Sequence, residues 1–194
     1  MTRTKHTGLY FGSFNPIHHG HLIIANYILT YTPLDEVWFI VSPQNPLKEK
    51  KQLANEYHRL EMVNLAIGDF NKFKALDIEF TMPKPSYTVD TLARLTEKHP
   101  SHQFNLIMGT DQLATFHKWK NYSYIIQHYR LLVYPRPGNI ENPYISNEHV
   151  QIINAPQIEL SSTFIRNAIQ TKKDIHCFLP EKVLQYIFDC NLYR

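Results

Sequence analysis

Leu9-Tyr-Phe11 followed by Gly12-Ser-Phe-Asn-Pro-Ile-His-His-Gly-His21 decides how this chain is read. A short apolar run ends in a Gly-containing turn. Behind the turn, Leu22, Ile23, Ala25, Tyr27, Ile28 and Leu29 carry helical apolar spacing up to Pro33. Strand, glycine turn and helix in that order predict the first βα unit of a parallel sheet, with ligands expected where the strand ends and the helix begins. The glycine turn (Gly12, Ser13, Phe14) leaves backbone N–H groups free, and the helix N-terminus behind it favours negative charge. His18 and His21, three apart, project from one face of the first turn, where two imidazoles can donate hydrogen bonds to phosphate oxygens. Two other readings stand beside this one. His18, His19 and His21 could ligate a metal, although no Cys, Asp or Glu falls in the segment and the HExxH spacing is absent; or the segment could be plain helix capping. Neither a P-loop (GxxxxGKS/T) nor a GxGxxG fingerprint is present.

The same alternation continues outward. Val37–Val41, Phe73–Phe80, Phe104–Met108, Arg130–Tyr134 and Val150–Ile153 read as strands. Glu56–Ile67, Ser86–Lys98, a segment after Gly109, Ser162–Thr171 and Pro180–Asp189 read as helices, and Ser42–Leu53 as a Pro- and Lys-rich loop. The expected fold is α/β: a doubly wound, Rossmann-like parallel sheet with helices on both faces and a small C-terminal helical appendage at about 160–194. It is read as a single domain over 1–194, with Asn139–Asn147 as a variable loop.

Composition sets the outer limits. The 194 residues hold 20 Lys and Arg against 17 Asp and Glu, a net charge of +3. That suits a phosphate-bearing ligand and lacks the basic stripe of a nucleic-acid binder. Cys177 and Cys190 are too few and too far apart for a disulfide scaffold or a CxxC site, so two free thiols in a reducing cytoplasm are expected. No signal peptide or ~20-residue apolar span is read, so no membrane partner is expected; a homo-oligomer is left open.

Two signatures together carry a resemblance. Gly12-Ser-Phe-Asn-Pro with His18-x-x-His21, and about 140 positions later Ser161-Ser-Thr-Phe-Ile-Arg166, resemble the HxGH-type nucleotidyltransferases, in particular the bacterial nicotinate mononucleotide adenylyltransferases. The resemblance covers essentially the whole chain. Physically, Ser161, Ser162 and Thr163 fall at a helix N-terminus able to hold phosphate oxygens, and Arg166 supplies a guanidinium one turn on. Taken alone, the segment also reads as a serine cap followed by a surface arginine. Ser86-Tyr-Thr-Val-Asp-Thr-Leu92 resembles the family's SYTxDTL stretch, which implies that Ser86, Tyr87 and Thr88 contact the pyridine mononucleotide; an N-cap by Ser86 or Thr88 is the plainer reading. Gly109-Thr-Asp-Gln-Leu113 with Phe116 and Trp119 resembles GxDxLxxFxxW, implying backbone approach at Gly109, ribose contact at Asp111 and stacking by Trp119, which could equally be packed as core. Lys48 is implied to face the phosphates, with Lys48, Lys50 and Lys51 as a solvated loop the alternative. His58-Arg-Leu-Glu-Met62 is read as packing. Asn15 stands where many bacterial relatives have Asp, and Lys120 where they have Tyr.

The resemblance implies transfer of the adenylyl group of ATP to nicotinate mononucleotide, with Mg²⁺ carried by the ATP phosphates and with His18, His21 and Arg166 catalytic. The competing readings are nicotinamide mononucleotide as substrate, a phosphopantetheine adenylyltransferase, a cytidylyltransferase (whose RTEGIST-like segment is absent) and a non-enzymatic nucleotide-binding module.

Overall fold

Apolar residues run unbroken through the strands because both faces of the sheet are covered. In the computed structural model, which describes residues 3–44, 53–138 and 142–194, the six strands are β1 (Lys5–Gly12), β2 (Glu36–Val41), β3 (Phe73–Leu76), β4 (His102–Gly109), β5 (Arg130–Tyr134) and β6 (Val150–Ile152). They form one parallel sheet in the order β3-β2-β1-β4-β5-β6. Within β2, Val37, Phe39 and Val41 enter one core while Trp38 and Ile40 enter the other. That is the period-2 pleat applied to a doubly buried strand.

Helices α1 (His19–Tyr31), α2 (Glu56–Ile67), α6 (Ser162–Gln170) and α7 (Glu181–Asp189) cover the first face, through Ile28, Met62, Ile165 and Val183 among others. Helices α3 (Thr88–Lys98), α4 (Thr110–Ala114) and α5 (Tyr122–His128) cover the second, through Leu92, Leu113 and Ile125. The sheet order reverses at β1, which has β2 on one side and β4 on the other. The crevice that such a reversal opens at the strands' C-terminal ends lies between Gly12 and Gly109.

Three features depart most from the expectation. The predicted strand Phe73–Phe80 stops at Leu76, and Ile78–Thr81 winds into a 3-10 turn that buries the Glu79 carboxylate. The helix predicted from Ser86 starts at Thr88, because the Ser86 hydroxyl is turned aside to Glu79. The seven-residue α5 is too short to display a helical period and was not expected. No helix among the described residues is long and apolar enough to cross a membrane.

Candidate active site

Gly12 ends β1 and Phe14 follows with φ at +44°, a left-handed backbone costing roughly 1–3 kcal/mol for a residue with a side chain. What holds it is burial. The Phe14 ring is 2% exposed, edge-on to Tyr10 at 5.8 Å and to His21 at 5.2 Å. A Cβ on Gly12 would come within 2.7 Å of that ring, so glycine is required there by the phenylalanine. The turn thereby delivers His18 to the N-cap of α1 and His21 to its first turn, with ring centroids 3.8 Å apart and stacked.

The two imidazoles are not equivalent. The backbone N–H of His18 donates to Nδ1 of His21 at 3.3 Å, which puts the proton of a neutral His21 ring on Nε2. His18 is buried; burial first, then the charges of Arg136 and His19, pull its imidazole down to about 3, so the ring is neutral at pH 7. Nδ1 of His18 is buried without a partner among the described residues. The pair can therefore donate hydrogen bonds, while Arg136 and Arg166 put positive charge on the cavity wall, as do Lys118 and Lys120.

The second signature meets this turn from the far end of the chain. Ser161 caps α6, its hydroxyl accepting from the Phe164 N–H at 3.2 Å. Ser162 donates its hydroxyl proton to the Pro16 carbonyl at 2.8 Å, so that proton is not available to a ligand. Thr163 Oγ1 accepts from Arg166 at 3.2 Å, and Arg166 also donates to the Asn15 carbonyl at 2.9 Å. The serine cap is thus real, but Arg166 is no plain surface residue: it is half-buried and ties α6 to the glycine turn.

These groups line one cavity of about 880 Å³ together with Ser13, Tyr87, Thr88, Asp111 and Trp119. Neither Ser86 nor Thr88 caps α3. Tyr87 holds the N-cap position without a side-chain bond, and Ser86 donates to Glu79 at 2.8 Å. Thr91 donates to the other Glu79 oxygen at 2.7 Å, so one buried carboxylate fixes the start of the helix. Trp119 packs on Phe116 at 5.4 Å and also borders the cavity. Lys120 bonds Asp90 at 2.8 Å and lies 4.8 Å above the Tyr87 ring, filling the cavity edge with a cation. Gly109 is different from expectation: it is buried behind Asp111 and off the cavity wall. A Cβ there would collide with Asp111 Oδ1 and meet Arg136 Cγ at 2.9 Å, so it makes room for those side chains. Lys48, with Lys50 and Lys51, lies outside the described residues.

Sequence reasoning missed five contributors. Arg136, after β5, and Glu79 carry no motif that marks them. Tyr10 and Tyr134 share a hydroxyl–hydroxyl bond of 3.0 Å on the cavity wall, and burial pushes both phenols up, so both stay protonated. Arg59, read as packing, is fully buried and donates to four carbonyls: Ser13 at 2.6 Å, Ser42 at 2.7 Å, Ala54 at 3.0 Å and Pro43 at 3.1 Å. It clamps the loops after β1 and β2. Its signal was an arginine placed on the apolar face of α2, beside Met62 and Val63.

Residues 9–168 match the model of the cytidylyltransferase-like family. A Flavobacterium psychrophilum protein named "Probable nicotinate-nucleotide adenylyltransferase" is 53% identical over 96% of this chain and 98% of its own length. One of the same name from Bacteroides thetaiotaomicron is 48% identical over 93% and 90%. In fold, the chain is similar to the Plasmodium falciparum nicotinic acid mononucleotide adenylyltransferase solved in complex with NaAD. That likeness has a TM-score of 0.82 at 22% identity and covers 97% of each chain. Its two distant signatures gathered in one cavity and these full-length likenesses together place the chain in the cytidylyltransferase-like family, among the nicotinate-nucleotide adenylyltransferases.

Proposed function

We propose that the protein transfers the adenylyl group of ATP to nicotinate mononucleotide, giving deamido-NAD and pyrophosphate in NAD biosynthesis. One observation carries the reading: the His18–His21 turn, the Ser161–Arg166 helix start and the Tyr87–Thr88 helix start open into a single cavity. Residues 1–194 then act as one nucleotidyltransferase unit, since segments from both ends of the chain build its wall.

In this reading an oxygen of the mononucleotide 5′-phosphate attacks the α-phosphorus of ATP, and the bond to the pyrophosphate oxygen breaks. The nucleophile has a second pKa near ~6 and is ionised at neutral pH, so no general base is needed. The work left to the protein is alignment and stabilisation of charge building on the pyrophosphate. His21 donates from Nε2, Arg166 and Arg136 supply charge, and the turn at Gly12–Phe14 supplies backbone N–H groups. Neutral histidines suit the task, because a donor need not be a cation. Among the described residues no three His, Cys, Asp or Glu side chains gather as a cation site, and the Glu79 oxygens are already engaged by Ser86 and Thr91. A divalent ion, Mg²⁺ in this proposal, therefore fits as a passenger on the ATP phosphates, where it would neutralise charge with water completing its shell. The nicotinate carboxylate faces the N-terminal N–H groups of α3 around Tyr87 and Thr88, Asp111 takes the ribose hydroxyls, and Trp119 stacks on the ring.

The test is ATP-dependent pyrophosphate release measured with nicotinate mononucleotide, nicotinamide mononucleotide and phosphopantetheine in parallel. Turnover fastest with nicotinate mononucleotide is expected. Turnover with phosphopantetheine alone, or with none of the three, would reject the reading.

A further inference from the structure

The chain doubles back after α7. Asn191 (φ +51°) and Tyr193 (φ +65°) are left-handed, and the Leu192 N–H closes onto the Ile187 carbonyl at 2.9 Å. Left-handed backbone at a bulky residue is uncommon and persists only where the surroundings hold it. Here the half-buried Tyr193 ring packs against the core shared by α1, α2, α6 and α7. Its hydroxyl reaches Asn15 Oδ1 at 2.8 Å. Burial pushes this phenol up, so it donates its proton at any pH the protein meets.

Asn15 is the hub of that contact. It is 4% exposed, and its Oδ1 also accepts the Ala54 N–H at 3.1 Å, while its main-chain carbonyl accepts from Arg166. The side chain of Asn15 is thus gripped from two sides, by the tail and by the chain entering α2. Its carbonyl, on the same residue, sets where the Arg166 guanidinium lies. A tyrosine 27 positions beyond the arginine thereby reaches back to the glycine turn that carries the histidines.

We propose that Tyr193 is a positioning residue for the ATP-phosphate site: its phenol fixes Asn15, and Asn15 in turn aims Arg166. This rests on the adenylyl-transfer reading for the identity of the nucleotide. Tyr193 does not line the cavity. It acts on one substrate only, because the α3 end of the cavity is built from other elements.

Tyr193→Phe removes the hydroxyl and keeps the ring. By calorimetry, it should bind a non-hydrolysable ATP analogue about three- to tenfold more weakly than the wild type, the range of one net hydrogen bond. Its affinity for nicotinate mononucleotide should stay within about twofold, and its thermal midpoint should confirm a folded protein. In an Arg166→Lys background, where the guanidinium that donates to the Asn15 carbonyl is gone, the same change should cost less than about twofold. Analogue affinity equal to wild type overturns the proposal. So does a loss of the same size in the Arg166→Lys background, or an equal loss for both substrates, either of which would mark a general structural effect. Wild-type protein that binds the analogue but transfers no adenylyl group would overturn the functional reading, while the affinity comparison would still decide Tyr193.

Discussion

His18 and His21 lie ring against ring at the mouth of α1, and in the proposed reaction they serve as donors aimed at charge that builds on the pyrophosphate. Losing one such donor typically costs ~2.7–4 kcal/mol, or ~100–1,000-fold in rate. His18→Ala or His21→Ala should therefore lower kcat by about that factor and leave mononucleotide affinity nearly unchanged; a variant keeping over half the wild-type kcat would remove the residue from the machinery. The His18 ring also links stability to pH. Its folded value is about 3 against 6.5 for the free side chain, so between those values the unfolded chain binds more protons. Stability from this residue is fully present above pH 6.5 and is lost as pH falls toward 3. In urea denaturation between pH 7 and 4.5, wild type should lose stability relative to His18→Gln by up to about 1.4 kcal/mol per pH unit. Parallel curves for the two proteins would show that the ring is not buried neutral.

Among the elements, the start of α3 is the one that would govern substrate choice in the proposed reaction. Tyr87 leaves the first N–H groups of the helix without a side-chain cap, at the cavity wall. A helix N-terminus favours an anion over a neutral amide by ~0.3–1 kcal/mol when exposed and up to ~2 when partly buried, and a stranded amide donor would add ~1–3 kcal/mol. Nicotinate mononucleotide should therefore exceed nicotinamide mononucleotide at least about tenfold in kcat/KM, read by competing the two at limiting concentration. Equal values would place the carboxylate elsewhere. The elements themselves were legible where burial on two faces wrote a long apolar run, as in β2, β4 and β5. They were illegible where a tertiary contact overrode the local pattern. Ile78 and Phe80 continue the apolar pattern begun at Phe73, but Glu79 between them turns inward to bond Ser86 and Thr91, and the strand ends before it.

Across the whole molecule, the candidate site joins residues more than 140 positions apart. Its two signatures were readable because each is a local cluster with its own chemistry. Arg59, Arg136 and Asn15 were read too little or not at all, because what they do depends on carbonyls and side chains that only folding brings near. Arg59 shows the cost of that blindness. Replacing it with Met would strand the carbonyls of Ser13, Ser42, Pro43 and Ala54, and an unsatisfied buried group costs ~1–3 kcal/mol. Arg59→Met should lose at least about 2 kcal/mol in urea denaturation and weaken ATP binding along with it. A loss below about 0.5 kcal/mol would mean that water replaces the guanidinium at those loops.

The chain carries two tryptophans on one side of the sheet, and burial separates what they can sense. Trp38 is sealed in the core at 2% exposure, beside His99 and His102; Trp119 borders the cavity. One indole is placed to emit according to whether the protein is folded, the other according to whether the cavity beside it is filled. Titration with nicotinate mononucleotide should change the intrinsic fluorescence through Trp119 alone. Trp119→Phe should silence that optical response while the denaturation signal of Trp38 persists, which makes the molecule its own unlabelled reporter of occupancy.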